Sequence, residues 1–119
     1  MTHDTSTKQF TIKRDGDRDL EFLGRILGTS SMKTDTGRGT DVGIFQTEGG
    51  KYIVSVHQWT QWENERDLHR AGVCDGPQAV LDWLLDDCGG NLGPASKEAI
   101  EAAAAWNEGL ASVAVEKVG

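Results

Sequence analysis

One stretch concentrates the residue types that do chemistry: HQWTQWENERD, residues His57 to Asp67, with His69 and Cys74 shortly after it. A histidine beside carboxylates is the commonest general acid/base arrangement, so His57 and His69 with Glu63 and Glu65 define one candidate site. Cys74 could act as a nucleophile with His69, although cysteine is also among the most buried residue types. No GxSxG elbow and no HExxH pattern accompanies these residues. Trp59 and Trp62, with Arg66 and Arg70 close by, suggest a second chemistry, the stacking of single-stranded bases between aromatics and cations. A third is protein binding. Trp59 has the character of an interface anchor, and Trp83 sits at the edge of an apolar helical stripe near Asp86 and Asp87.

Charge weighs between these chemistries. The net charge is −7, and residues 1–74 contribute only −1, with eleven acidic and ten basic side chains. Residues 75–119 contribute −6, with eight acidic side chains against Lys97 and Lys117. Nucleic-acid binding runs on neutralisation of phosphate by Lys and Arg, so direct binding of nucleic acid is not expected. An acidic surface instead suits docking on a basic partner, including a groove built for nucleic acid. Asp82, Asp86, Asp87, Glu98, Glu101 and Glu108 are the carboxylates that could do so.

Cofactor and compartment signals are sparse. Cys74 and Cys88 lie too far apart for a CxxC motif, and there is no HxxxH, so neither a metal nor a disulfide is expected. The segment TSSMKTDTGRGT, residues 29–40, contains Lys33 and Gly37-Arg38-Gly39 but not the GxxxxGK[ST] phosphate loop. It reads as a mobile hairpin connection. No apolar run reaches the ~20 residues of a membrane span. MTHDTSTKQ lacks the features of a signal peptide, so a cytoplasmic protein is expected.

These residues must be positioned by elements that the pattern of apolar residues outlines. With 37% apolar and 26% charged residues, the 119-residue chain fits one ordinary globular domain over 9–119, after a flexible segment 1–8. QFTIKR alternates as a strand, and DGDRD at 15–19 is a turn. LEFLGRILG, residues 20–28, fits a strand with Leu20, Phe22 and Ile26 on one face. It also fits a helix with Leu20, Leu23 and Leu27 in a stripe and Gly28 as its stop; the strand suits the flanking turn and loop better.

Gly49-Gly50 between alternating runs predicts a two-residue hairpin. Counting outward pairs Glu48 with Lys51, Thr47 with Tyr52, Phe45 with Val54, and Gly43 with Val56. Phe45, Tyr52, Val54 and Val56 would then face the core, with Trp62 pointing the same way. Val42, Ile44, Ile53, His57 and Trp59 would share a mixed face.

RDLHRAGVC, residues 66–74, resembles another strand. Asp75-Gly76-Pro77 then starts a helix over about 76–88, with Asp75 as N-cap, and Gly89-Gly90 ends it. A second helix is expected over about 95–110, with Ser96 as N-cap and Ala99, Ala103, Trp106 and Leu110 along its packed side. From Ser112 the tail frays or adds a short strand. The resulting fold class is α+β: an antiparallel meander of four to five strands, sheet 9–74, followed by two C-terminal helices packed on one sheet face.

The function expected from this reading is a small, acidic, non-catalytic interaction module, an inhibitor or regulator docking on a larger basic assembly, of the kind mobile elements encode. It would bind through His57, Trp59, Trp83 and the helical acids. Two alternatives stand beside it: an enzyme with an acid/base site around His57/His69 and Glu63/Glu65, and a homodimer joined through the mixed sheet face.

Overall fold

The computed structural model describes residues 7–116 and residue 118. Five strands form one antiparallel sheet in sequential order: β1 (Lys8–Ile12), β2 (Leu20–Lys33), β3 (Arg38–Thr47), β4 (Tyr52–Thr60) and β5 (Leu68–Cys74). Three helices follow: α1 (Pro77–Asp87), α2 (Pro94–Ala104) and α3 (Glu108–Ala114). The class is the expected α+β meander. The flexible segment proposed for 1–8 falls mostly on residues outside the described ones, and Lys8 already belongs to β1.

The strand reading of 20–28 holds, and β2 runs further than expected. Residues 29–33 pair with 39–43 instead of forming a mobile loop, which leaves only a tight turn at 34–37. Packing stabilises this extension where periodicity gave no signal. Ser30 Oγ donates to the Ala95 carbonyl, and Met32 packs against the core. A β-bulge between Ile26 and Gly28 inserts Leu27, which is 1% exposed. Gly28 is therefore no helix stop. It is the point where α2 rests on β2: a Cβ there would lie 2.5 Å from the Ala103 nitrogen and 2.7 Å from the Ala99 oxygen.

The β3–β4 hairpin corrects the register by one residue. Gln46 pairs with Tyr52, Ile44 with Val54 and Val42 with Val56. The connection is a three-residue loop, not a two-residue one. The Gly50 N–H donates to the Thr47 carbonyl at 3.0 Å, the Thr47 N–H donates to the Lys51 carbonyl at 2.8 Å, and Gly50 takes the left-handed φ of 89°. A one-residue shift flips the whole of β3. Val42 and Ile44 therefore join Tyr52, Val54 and Val56 under the helices, while Phe45 moves to the opposite face with Ile53. There Phe45 meets Phe10 and Phe22 at ring-centroid distances of 5.1 and 5.6 Å, a small second cluster.

Helices α1 and α2 cover the first face, with α2 over β2 and β3, α1 over β4 and β5, and α3 packed against both helices. Val80, Leu84, Ala95, Ala99, Ile100, Ala103 and Leu110 close the core. The alanine stripe does let α2 approach closely, as its spacing suggested. Several end signals differ from the sequence reading. Gly76, not Asp75, is the N-cap of α1, because the Asp75 carboxylate bonds Lys51 Nζ at 2.6 Å. Gly93 caps α2, so Ser96 lies inside the first turn, 4% exposed and 3.5 Å from Cys88 Sγ.

The helix expected over 95–110 is broken in two. Asn107 Oδ1 accepts the Leu110 N–H at 2.9 Å and its Nδ2 donates to the Tyr52 hydroxyl at 3.0 Å, so this side chain ends one helix and starts the next. Trp106, at that break, is 49% exposed rather than packed, and Ser112 lies within α3 rather than in a frayed tail.

Candidate functional site

The strand register assembles a polar row across the face that the helices leave uncovered. Ser31 of β2 pairs with Asp41 of β3, Asp41 with His57 of β4, and His57 with His69 of β5. Because side chains alternate along a strand, Asp67, two residues before His69, falls on the same side. His57 Nε2 lies 2.8 Å from Asp67 Oδ2, and its Nδ1 lies 3.8 Å from Asp41 Oδ2. The His57 and His69 rings stack with centroids 4.3 Å apart and 12° between planes.

Each member is held by its neighbours. Asp67 Oδ1 accepts the Thr60 N–H at 3.1 Å, and Asp41 Oδ1 accepts Ser31 Oγ at 2.5 Å and Trp59 Nε1 at 3.4 Å. The bond with His57, then that from Thr60, holds the Asp67 carboxyl below the usual carboxylate range. At the outer edge of β5, Asp15 of the β1–β2 turn gives its N–H to the His69 carbonyl at 2.9 Å and takes the His69 N–H on Oδ2 at 2.8 Å. That backbone bond is the main cause of a lowered Asp15 pKa. A turn beside one edge strand thus fastens to the other edge strand, so the sheet wraps around this face and β5 is not left open there. An open hollow of about 530 Å³ adjoins the row, with Asp41, Phe45, Ser55 and His57 among its walls and Glu98 of α2 at its rim.

The acids singled out in the sequence do not belong to this row. Glu65 is taken by Arg38, whose Nε lies 3.0 Å away, and by Thr60 Oγ1 at 2.6 Å. These bonds, Arg38 first, lower its pKa. Glu63 is exposed in the same turn. Cys74 pairs with Tyr52 and so faces the helices, whereas His69 faces the other way. Burial pushes the Cys74 thiol up, with the Asp75 charge adding to it, the opposite of an activated nucleophile. Sequence reasoning missed Asp15, Asp41 and Asp67. Only the spacing of Asp67 and His69 could have pointed to one of them.

The tryptophans separate in the same way. Trp59 is half-buried and its indole lies over Gly39, its cross-strand partner, where a Cβ would come within 2.2 Å of the ring. Trp62 does not turn toward the core. The strand ends at Thr60, and Trp62 is 47% exposed, donating Nε1–H to the Thr36 carbonyl at 2.8 Å. Trp83 covers Gly72 of β5 and seals the junction of sheet and helix.

Of the helical carboxylates, Asp82, Asp86, Glu98, Glu101 and Glu108 are exposed. Asp87 is not available in the same sense. Its side chain is 11% exposed, and Arg70 grips it through Nε at 2.5 Å and Nη2 at 3.1 Å.

Fold and site together define an α+β protein, a five-stranded meander with a helical layer on one face and a histidine–aspartate row on the other. The chain matches no known family model, no characterised protein and no solved structure. Among the described residues no helix is long and apolar enough to cross a membrane.

Proposed function

We propose that the chain is a non-catalytic interaction module whose helical layer docks on a basic protein partner, acting as an inhibitor or regulator of that partner. The observation that supports this reading is the exposed set Asp82, Asp86, Glu98, Glu101 and Glu108 on three helices whose only Lys or Arg is Lys97. Carboxylates in such a field steer a cationic surface and repel nucleic acid, so the partner is a protein and not DNA or RNA. Asp87 stands apart from the docking set, since its charge is already matched by Arg70. Trp83 contributes by holding α1 in place and not by touching the partner. His57 and Trp59 lie on the other face and take no part in this contact.

Two free thiols, Cys74 and Cys88, suit the reducing cytoplasm. The homodimer reading is the weaker one, because Phe10 and Phe22 already pack on Phe45 within the chain, and Phe45 and Ile53 are only 6% and 3% exposed.

The test is affinity capture from the native host with wild type and with the quadruple variant Asp82→Asn/Asp86→Asn/Glu98→Gln/Glu101→Gln. The wild type should retain a basic protein at 0.05 M salt and release it at 0.5 M, since screening shortens the reach of charge from about 14 Å to about 4 Å. The folded quadruple variant should not retain it. Equal recovery on the variant would sink the proposal.

A further inference from the structure

We propose that His57, Asp67 and His69 form a binding site for a divalent transition-metal ion such as zinc. One ligand atom from each residue lies within 4.8 Å of the other two, and all three side chains are half-exposed and so accessible to an ion from solvent. Two imidazoles and one carboxylate are a donor set for zinc, nickel, cobalt or ferrous iron, whereas magnesium and calcium prefer all-oxygen surroundings.

The backbone under these donors is fixed. His57 and His69 are a cross-strand pair, and Asp15 ties the His69 backbone at the sheet edge. Metal–donor bonds of about 2.0–2.2 Å place tetrahedral donors roughly 3.4 Å apart. The widest donor gap, at most 4.8 Å, must close by up to about 1.4 Å while the His57–Asp67 pair opens slightly, movements their exposure permits. His57 and Asp67 are already 2.8 Å apart, so the ion takes the place of the shared proton and the His69 ring tilts toward them.

Two further features favour a cation. Asp41 Oδ2 stands 3.8 Å from His57 Nδ1, the nitrogen the metal would leave free, where a carboxylate orients a ligating imidazole and raises its basicity. Asp15 and Asp41 flank the row with two more carboxylates. Three protein donors, all half-exposed, leave a coordination position for water or a small ligand from solvent.

The experiment is titration of the untagged full chain with zinc chloride, read by calorimetry and by the imidazole nitrogen resonances. Zinc should bind with one-to-one stoichiometry and shift the His57 and His69 resonances but not those of His3. Magnesium at the same concentration should shift neither. His69→Ala and Asp67→Asn should each weaken zinc binding by at least tenfold, and Cys88→Ser should leave it unchanged. The resonance readout uses the wild-type chain, so it stands even where a variant fails to fold. Absence of zinc binding, binding lost in Cys88→Ser, shifts confined to His3, or an equal response to magnesium would each overturn the site.

Discussion

Gly28 carries the closest approach between the helical layer and the sheet, so adding a single methyl there should separate them. A Cβ at this position meets the Ala103 nitrogen at 2.5 Å, the Ala99 oxygen at 2.7 Å and the Ala103 Cα at 2.9 Å, all backbone atoms that no rotamer change can move. Ordinary contact begins near 3.4 Å, so α2 must lift by about 1 Å. Ala95, Ala99, Ile100 and Ala103, none more than 5% exposed, would lose their packing with it. Overpacking of this kind costs about 1–3 kcal/mol, less the roughly 0.5–1 kcal/mol that alanine regains over glycine in a strand. An unfolding entropy of about 2.1 cal/mol/K per residue gives about 0.25 kcal/mol/K for this chain, so a net 1.5 kcal/mol lowers Tm by about 6 °C. Thermal melts followed by circular dichroism would measure it. Gly49→Ala is the control, since the nearest atom there is 3.9 Å away and its φ is not left-handed. Gly28→Ala melting together with Gly49→Ala would refute the claim that α2 rests on the β2 backbone.

Two further predictions separate structural carboxylates from docking ones. Asp87→Asn, which breaks the two-pronged contact with Arg70, should lower stability to urea by about 1–2 kcal/mol after discounting for the partly exposed Arg70. Asp82→Asn, exposed and accepting a hydrogen bond from Gln78 at 3.0 Å, should stay within about 0.5 kcal/mol of wild type. Equal effects would contradict the division. Asp15 links the sheet edge to pH. Its folded pKa lies below the ordinary 3.8, so its contribution is complete above that value and is lost as pH falls through the lower folded one. Protection of the His69 amide against exchange, relative to the free peptide at the same pH, should therefore fall as pH drops below 3.8, and in Asp15→Ala it should be low at every pH.

The sequence made the meander and the helical layer legible because alternation and caps are local signals. Most of its failures share one cause, a long-range partner that overrode a local rule; the hairpin is the exception, decided by Thr47 bonds only three and four residues away. The double glycine suggested a two-residue turn, yet Thr47 closes a three-residue loop and shifts Phe45 to the other face. Residues 29–33 looked like a loop because Thr29, Ser30 and Ser31 break the apolar period, while Ser30 is buried against Ala95. Asp75 looked like a cap but is drawn off by Lys51. The polar row was half visible. His57 and His69 stood out, but the carboxylates chosen with them, Glu63 and Glu65, were not the ones that fold beside them, and Glu65 turns instead to Arg38. Asp41 and Asp15 join the row through strand pairing and sheet closure, and no spacing rule reaches across 54 residues to link Asp15 to His69.

The central claim is that the acidic helical layer, and not the histidine face, meets a partner. Carbodiimide labelling of carboxylates, with and without the captured partner, tests it most directly. Protection of Asp82, Asp86, Glu98 and Glu101, with Glu63 on the opposite turn still labelled, is the predicted result. Unchanged labelling of the helical acids, with protection moved to Glu63 and the β4–β5 turn, would contradict it.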